Sequence, residues 1–250
     1  MKRSNLILSG ILVSLLTFFN SLLFAQDIQF AVDESNPPFM YKDSTSGQAA
    51  GLYPEMVKII FNKIGTKVTV TPYQWKRLLS LSESGDVGVA GIYKNEKRLL
   101  IYDYSEPIFD EKIVIYTKKE NKFNFSGVSD LKGKKIGVIR GWSYGDDFDK
   151  LKENGEVVVD ETTADEFNFK KLEAGRLDCL LTIQQAGDAL VQELGLSEKV
   201  VMLGTPVVVN PTYIVFAKST KNQELIQKIN AALDQVKQDG SYQAMMGKIF

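Results

Sequence analysis

Arg98 is the residue whose chemistry is easiest to name. It closely follows a short apolar, glycine-bearing run, Val87 to Ile92, inside the stretch GDVGVAGIYKNEKRLLIYDYSEPIF from Gly85 to Phe109. A guanidinium is a planar fork that stays charged and holds a carboxylate through two parallel hydrogen bonds. The run before it reads as a buried strand, and glycine in a strand lets a ligand approach the backbone closely. A strand end, free backbone N–H groups and one arginine together make an anion seat. The same arginine also reads as a solvated charge in a polar turn, because Lys94, Glu96 and Lys97 stand beside it and most charges are exposed.

Three other stretches offer chemistry. The loop Asp33-Glu34-Ser35-Asn36-Pro37-Pro38-Phe39 is stiffened by its prolines, which forbid helix. It either lines a cleft with Asp33, Glu34 and Phe39 or makes a stiff surface turn. Tyr73 and Trp75 stand at a strand-to-helix junction, where their rings either stack on a ligand or a cation or pack against the neighbouring helix. Ser143, in GVIRGWSYG, falls near the predicted start of a helix, whose exposed N–H groups favour an anion. It reads as an N-cap or as a ligand contact. The glycine spacing there does not fit the dinucleotide fingerprint G-x-G-x-x-G.

The composition narrows what these groups can do. The chain has 250 residues, a net charge of −1, no histidine and one cysteine. Without histidine it lacks the commonest general base and the commonest metal ligand, and no cofactor or metal is expected. Cys179 can form no internal disulfide, and in the apolar run Leu177 to Ile183 it reads as an inert core thiol. The near-neutral charge gives no reason to expect nucleic acid as a partner.

Elements that position the candidates follow from periodicity. Strands are predicted at Ile28–Val32, Lys67–Thr71, Val87–Ile92, Lys112–Thr117, Ile136–Ile139, Val157–Val159, Leu177–Leu181 and Val200–Leu203, with an apolar run at Val207–Ala217. Helices are predicted after Gly51 with Pro54 in the first turn, following the stretch Pro72 to Leu79 and stopping at Gly85, from about Ser143, and at Asp165–Ala174, Gln184–Leu194 and Gln223–Asp239. Strands alternating with helices at this pitch predict an α/β architecture with a mainly parallel sheet. At the N-terminus, Lys2 and Arg3 precede a mostly apolar run, Leu6 to Phe19, and then Ser21 to Ala25. This pattern predicts a secretory signal peptide over residues 1–25, cleaved after Ala25; the competing reading is an uncleaved anchor.

Separated motifs then agree in order: GLYPEM, GDVGVAGIYKNEKR with YDYSEPI, SDLKGKKIGVIRGWSYG, LEAGRLDCLL and DGSYQAMMGKIF. Together they resemble the periplasmic solute-binding proteins of the polar amino-acid type, solute-binding family 3. The resemblance implies a two-lobe α/β periplasmic binding protein type II fold with a hinge and an interlobe cleft. One lobe is expected from residues 26–111 plus 213–250 and the other from 112–212. It implies an exported, monomeric periplasmic protein that clamps a small carboxylate-bearing ligand for delivery to an ABC importer. A ligand sensor for a membrane receptor and a cyclohexadienyl dehydratase-like enzyme, with Glu34, Glu106 or Asp188 as acid, are the competing functions. By resemblance Arg98 grips the ligand carboxylate, Gly91 and Tyr93 meet the ligand, Ser143 caps the same carboxylate, Tyr73 lies over the ligand side chain, and Asp33 is an acidic cleft position. Asn36 replaces a usual aromatic, while Tyr93 and Trp142 enlarge positions that are often small. The family's ammonium-holding carboxylate position is Ile183 here, so another group must serve or the ligand has no ammonium.

Overall fold

A computed structural model describes residues 27–250; the expected signal peptide lies outside the described residues. In chain order the strands are β1 (Ile28–Asp33), β2 (Ser35–Asn36), β3 (Met40–Lys42), β4 (Ala49–Ala50), β5 (Val68–Tyr73), β6 (Gly88–Tyr93), β7 (Tyr102–Tyr104), β8 (Phe109–Lys118), β9 (Lys135–Ile139), β10 (Val158–Thr162), β11 (Cys179–Ile183), β12 (Val200–Met202) and β13 (Val208–Ala217). The α-helices are α1 (Leu52–Ile64), α2 (Trp75–Glu83), α3 (Glu96–Leu99), α4 (Asp146–Glu153), α5 (Asp165–Glu173), α6 (Gln184–Glu193), α7 (Gln223–Gln238) and α8 (Ser241–Ile249).

The main sheet runs β10-β9-β11-β8-β13-β6-β1-β5, with β12 added to β8 and β7 to β13. At its centre β8 and β13 lie side by side and belong to both halves. Val208–Thr212 of β13 pairs with Phe109–Ile113 of β8, and Thr212–Val215 then pairs with β6. The far part of β8, Ile113–Thr117, pairs with β11. One lobe is therefore built on β1, β5, β6 and β7 with α1, α2, α7 and α8, and the other on β9 to β12 with α4, α5 and α6. Two strands cross between them.

Within each lobe the pairings are parallel, β5 and β6 with β1 in one, β10 and β11 with β9 in the other. The crossing strands run antiparallel to their neighbours. The sheet is thus mixed, where strand–helix alternation predicted mainly parallel. Alternation reports only the βαβ units inside each lobe; a strand that leaves one lobe and another that returns carry no such pattern.

Local signals explain most boundaries. In α1 the buried face carries Met56, Val57, Ile60 and Phe61, spaced three and four apart, with Pro54 in the first turn. All six residues of β6 are buried. The helix expected from about Ser143 begins at Asp146. Gly145 sits at φ 98°, ψ 145°, outside helical space, and Asp149 holds the loop ahead of it. Its Oδ2 accepts from Ser143 Oγ at 2.5 Å and its Oδ1 from the Tyr144 N–H at 3.2 Å. Ser143 is therefore not the N-cap. Cys179 is fully buried on β11, and burial pushes its thiol up to about 12, as expected of an inert core thiol.

Candidate functional site

The candidate site is a small, partly open cavity between the lobes, in this form with room for about one water molecule. Arg98 enters it from α3, a single turn whose start is fixed by Asn95, where the side-chain oxygen accepts the Arg98 N–H at 2.8 Å. The arginine thus stands on a capped helical turn, not in a solvated loop, and is only 7% exposed. Its Nη1 donates to the Tyr93 carbonyl at 3.3 Å and its Nη2 to the Gly141 carbonyl at 3.4 Å. Its Cζ lies 5.7 Å from the centre of the Trp75 ring. Among the described residues no carboxylate forms an ion pair with it. Burial lowers its pKa, while the nearby Asp149 and tyrosines favour the charged form. A guanidinium this basic remains charged.

The lobes touch across the cavity. Trp75 Nε1 donates to Gly141 O at 3.0 Å, Trp142 Nε1 donates to Asp33 Oδ2 at 3.2 Å, and Ser35 Oγ donates to Thr163 O at 2.8 Å. The two indoles meet edge-on at 6.2 Å and wall the space. Asp33 is buried at the end of β1, where Ser35 donates to its Oδ1 from backbone and hydroxyl, both at 3.2 Å. Burial pushes its carboxyl up to about 6 against those bonds.

Of the residues singled out from the sequence, Gly91, Tyr93, Arg98, Trp142, Ser143 and Ile183 line the cavity together. Asp33 stands at its margin through Trp142. Tyr73 does not line it. That side chain is half-buried in β5, beside Asp33 in register, with the Arg77 guanidinium 5.0 Å from its ring. Trp75 and Trp142 supply the aromatic surface instead.

The lining also contains Asn36, Met40 and Glu111. Asn36 comes from the small β2-β3-β4 sheet, and its buried Nδ2 has no hydrogen-bond partner among the described residues. Glu111 comes from β8, where its two neighbours Asp110 and Lys112 are exposed and it is 1% exposed. It accepts one hydrogen bond from Tyr53 and one from Tyr93, one on each carboxylate oxygen. Tyr53 also reaches Thr212 Oγ1 at 3.1 Å. Burial pushes Glu111 up to about 7, more than the two tyrosine bonds lower it. The only sequence signal for Glu111 was the alternation Asp110–Ile113, in which it shares a face with Ile113.

Gly91 shapes the cavity from below. It sits at φ +84°, and a Cβ there would lie 2.4 Å from the buried Tyr53 ring. Gly91→Ala combines left-handed strain with overpacking, so it is expected to destabilise by about 2–5 kcal/mol. Thermal denaturation of the unliganded protein should show a fall of roughly 5–15 °C; an unchanged midpoint would mean that Tyr53 moves aside freely.

Fold and site together define a two-lobe protein with a small cavity between lobes joined by two crossing strands. The family model for bacterial extracellular solute-binding proteins, family 3, matches residues 28–250, and the chain belongs to that family. The L-cystine-binding protein TcyJ of Escherichia coli (strain K12) is 26% identical over 217 residues, 86% of this chain and 79% of the relative. An ancestral arginine-binding protein bound to arginine superposes with a TM-score of 0.76 at 30% identity, covering 90% of this chain and 98% of that one. A histidine kinase sensor domain with similarity to periplasmic binding proteins shares the fold, with a TM-score of 0.80 at 21% identity over 90% of this chain and 96% of its own.

Proposed function

We propose that this protein clamps a small carboxylate-bearing solute, a polar amino acid or a related metabolite, and delivers it to the permease of an ABC importer. The observation that carries this reading is Arg98: a buried guanidinium facing a small interlobe cavity, which donates to two carbonyls and, among the described residues, has no carboxylate partner. Burying a charge is costly unless it is paired, and a ligand carboxylate supplies the missing pair. The relatives named for cystine and arginine binding point to the same ligand class. We place the division of lobes at residues 26–111 plus 213–250 against 112–212, and read the protein as exported through its signal peptide to the periplasm, acting there as a single copy.

Binding, not catalysis, is the reading the site favours. Of the candidate acids, Glu34 and Glu106 do not line the cavity. Asp188 accepts from Tyr116, which packs in the satellite core of the second lobe.

A thermal-shift panel tests this. Arginine against agmatine, histidine against histamine and lysine against cadaverine compare each acid with its decarboxylated partner. A ligand at a hundredfold excess over its Kd stabilises by about 2.7 kcal/mol, or roughly 5–10 °C for a chain of this size. At least one carboxylate of the wider panel of amino acids, hydroxy acids and dicarboxylates is expected to give such a shift, and no decarboxylated amine. Equal shifts with the amines, or none with any carboxylate, would refute the reading.

A further inference from the structure

We infer that Glu111 fixes a cationic group of the ligand from the hinge strand, so that the cavity selects a solute carrying both a carboxylate and a cation. This rests on the reading of Arg98 as the carboxylate clamp and extends it to the other end of the ligand. Among the described residues lining the cavity, Arg98 and Glu111 are the charged ones. With Glu111 ionised they are opposite in sign; both are buried, and among the described residues neither has an oppositely charged partner in an ion pair. The groups facing Glu111 are the hydroxyls of Tyr53 from α1 and Tyr93 from β6. An ionised carboxylate offers about four acceptor sites, and the tyrosines occupy two. Among the described residues no donor occupies the other two, and Glu111 lines the cavity.

The sheet register explains how the hinge comes to serve this purpose. Ile183 on β11 lies directly opposite Ile113 on β8. Glu111 is two residues from Ile113 on the same face, hence the diagonal neighbour of Ile183, about 7–8 Å away by strand geometry. Both side chains line the cavity. The second lobe thus presents an apolar side chain at the strand end, and the negative charge stands one rung away on the crossing strand. Placed there, it is held by tyrosines of the first lobe.

The alternative is that Glu111 only ties α1 and β6 to the hinge through its tyrosines. Calorimetry on matched ligands separates the two. Glutamate against 2-hydroxyglutarate, alanine against lactate and histidine against imidazolelactate test an α-ammonium; arginine against citrulline and lysine against norleucine test a side-chain cation. The wild-type protein is expected to prefer the cationic member of at least one pair by tenfold or more. In Glu111→Gln that preference should fall to within threefold. Adding Ile183→Asp to Glu111→Gln should restore a preference of at least tenfold by returning a carboxylate to the neighbouring rung. A structural role would alter the melting midpoint without changing the ratio. An unchanged ratio in Glu111→Gln overturns the inference. So does a wild-type protein that binds carboxylates without preferring the cation, a result that needs no variant to fold and leaves the Arg98 clamp standing. If wild type binds no carboxylate at all, the clamp fails first.

Discussion

Arg98→Ala is expected to abolish measurable binding of every carboxylate ligand while leaving the fold intact. Truncating one side of a buried, charge-assisted pair costs about 2–5 kcal/mol, which is roughly 30- to 4,000-fold in Kd. The fold should survive for a local reason. The helical turn that carries Arg98 is capped through its backbone N–H, which alanine keeps. The side chain itself contributes only two long hydrogen bonds to carbonyls, at 3.3 and 3.4 Å. Against these stands the cost of burying an unpaired guanidinium, so the unliganded variant should melt at or above the wild-type midpoint. Arg98→Lys keeps a charge but loses the planar fork, and its affinity should fall between the two. Calorimetry and far-UV circular dichroism check both halves of the expectation. Undiminished affinity in a well-folded Arg98→Ala would remove the arginine from the site.

The architecture was largely legible because its signals are local. Apolar spacing of three and four marked α1 and α7, and uninterrupted apolar runs marked β6, β9 and β11. Local signals say little about two strands that belong to both lobes. The antiparallel pairing of β8 with β13 joins residues about a hundred positions apart, and no short window carries that information. The resemblance brought six cavity residues together from separate stretches. Tyr73 was misleading because position in a junction does not fix direction. In β5 its ring is taken up by Arg77, while Trp75, two residues later, turns inward to reach the Gly141 carbonyl across the cleft. Glu111 was illegible for a different reason. In Asp110-Glu111-Lys112 three charged residues in a row look like a solvated stretch. Only the register of β8 shows that the middle one faces inward, and only the tertiary fold brings Tyr53 and Tyr93 to hold it. Ser143 failed as a cap because the helix starts three residues later, at Asp146 behind Gly145, and its hydroxyl donates to Asp149 instead.

Three buried acids, Glu111, Asp33 and Asp165 at the start of α5, make stability depend on pH in a direction opposite to ordinary acid denaturation. Glu111 rises from 4.5 to about 7 on folding, and Asp33 and Asp165 from 3.8 to about 6, each mainly through burial. Between about pH 4 and 7 the folded chain therefore holds protons that the unfolded chain has released, and its stability falls as pH rises. For Glu111 the shift corresponds to a penalty on the order of 3 kcal/mol, complete above about pH 7. Glu111→Gln removes this titration. It should match wild type near pH 4.5 and melt several degrees higher at pH 8, and the difference between the two melting curves isolates Glu111 from the aspartates. Tyr53 and Tyr93, which face it, are both held well above their usual range, so neither titrates in this window. A cationic ligand requires the ionised acid. Its affinity for wild type should then weaken by up to about tenfold per unit below pH 7, while that of the matched hydroxy acid stays level. If the two proteins melt in parallel from pH 4.5 to 8, the hinge carboxyl is not the strained charge its burial implies. If they diverge, the cost of keeping it ionised is what a ligand cation offsets on binding.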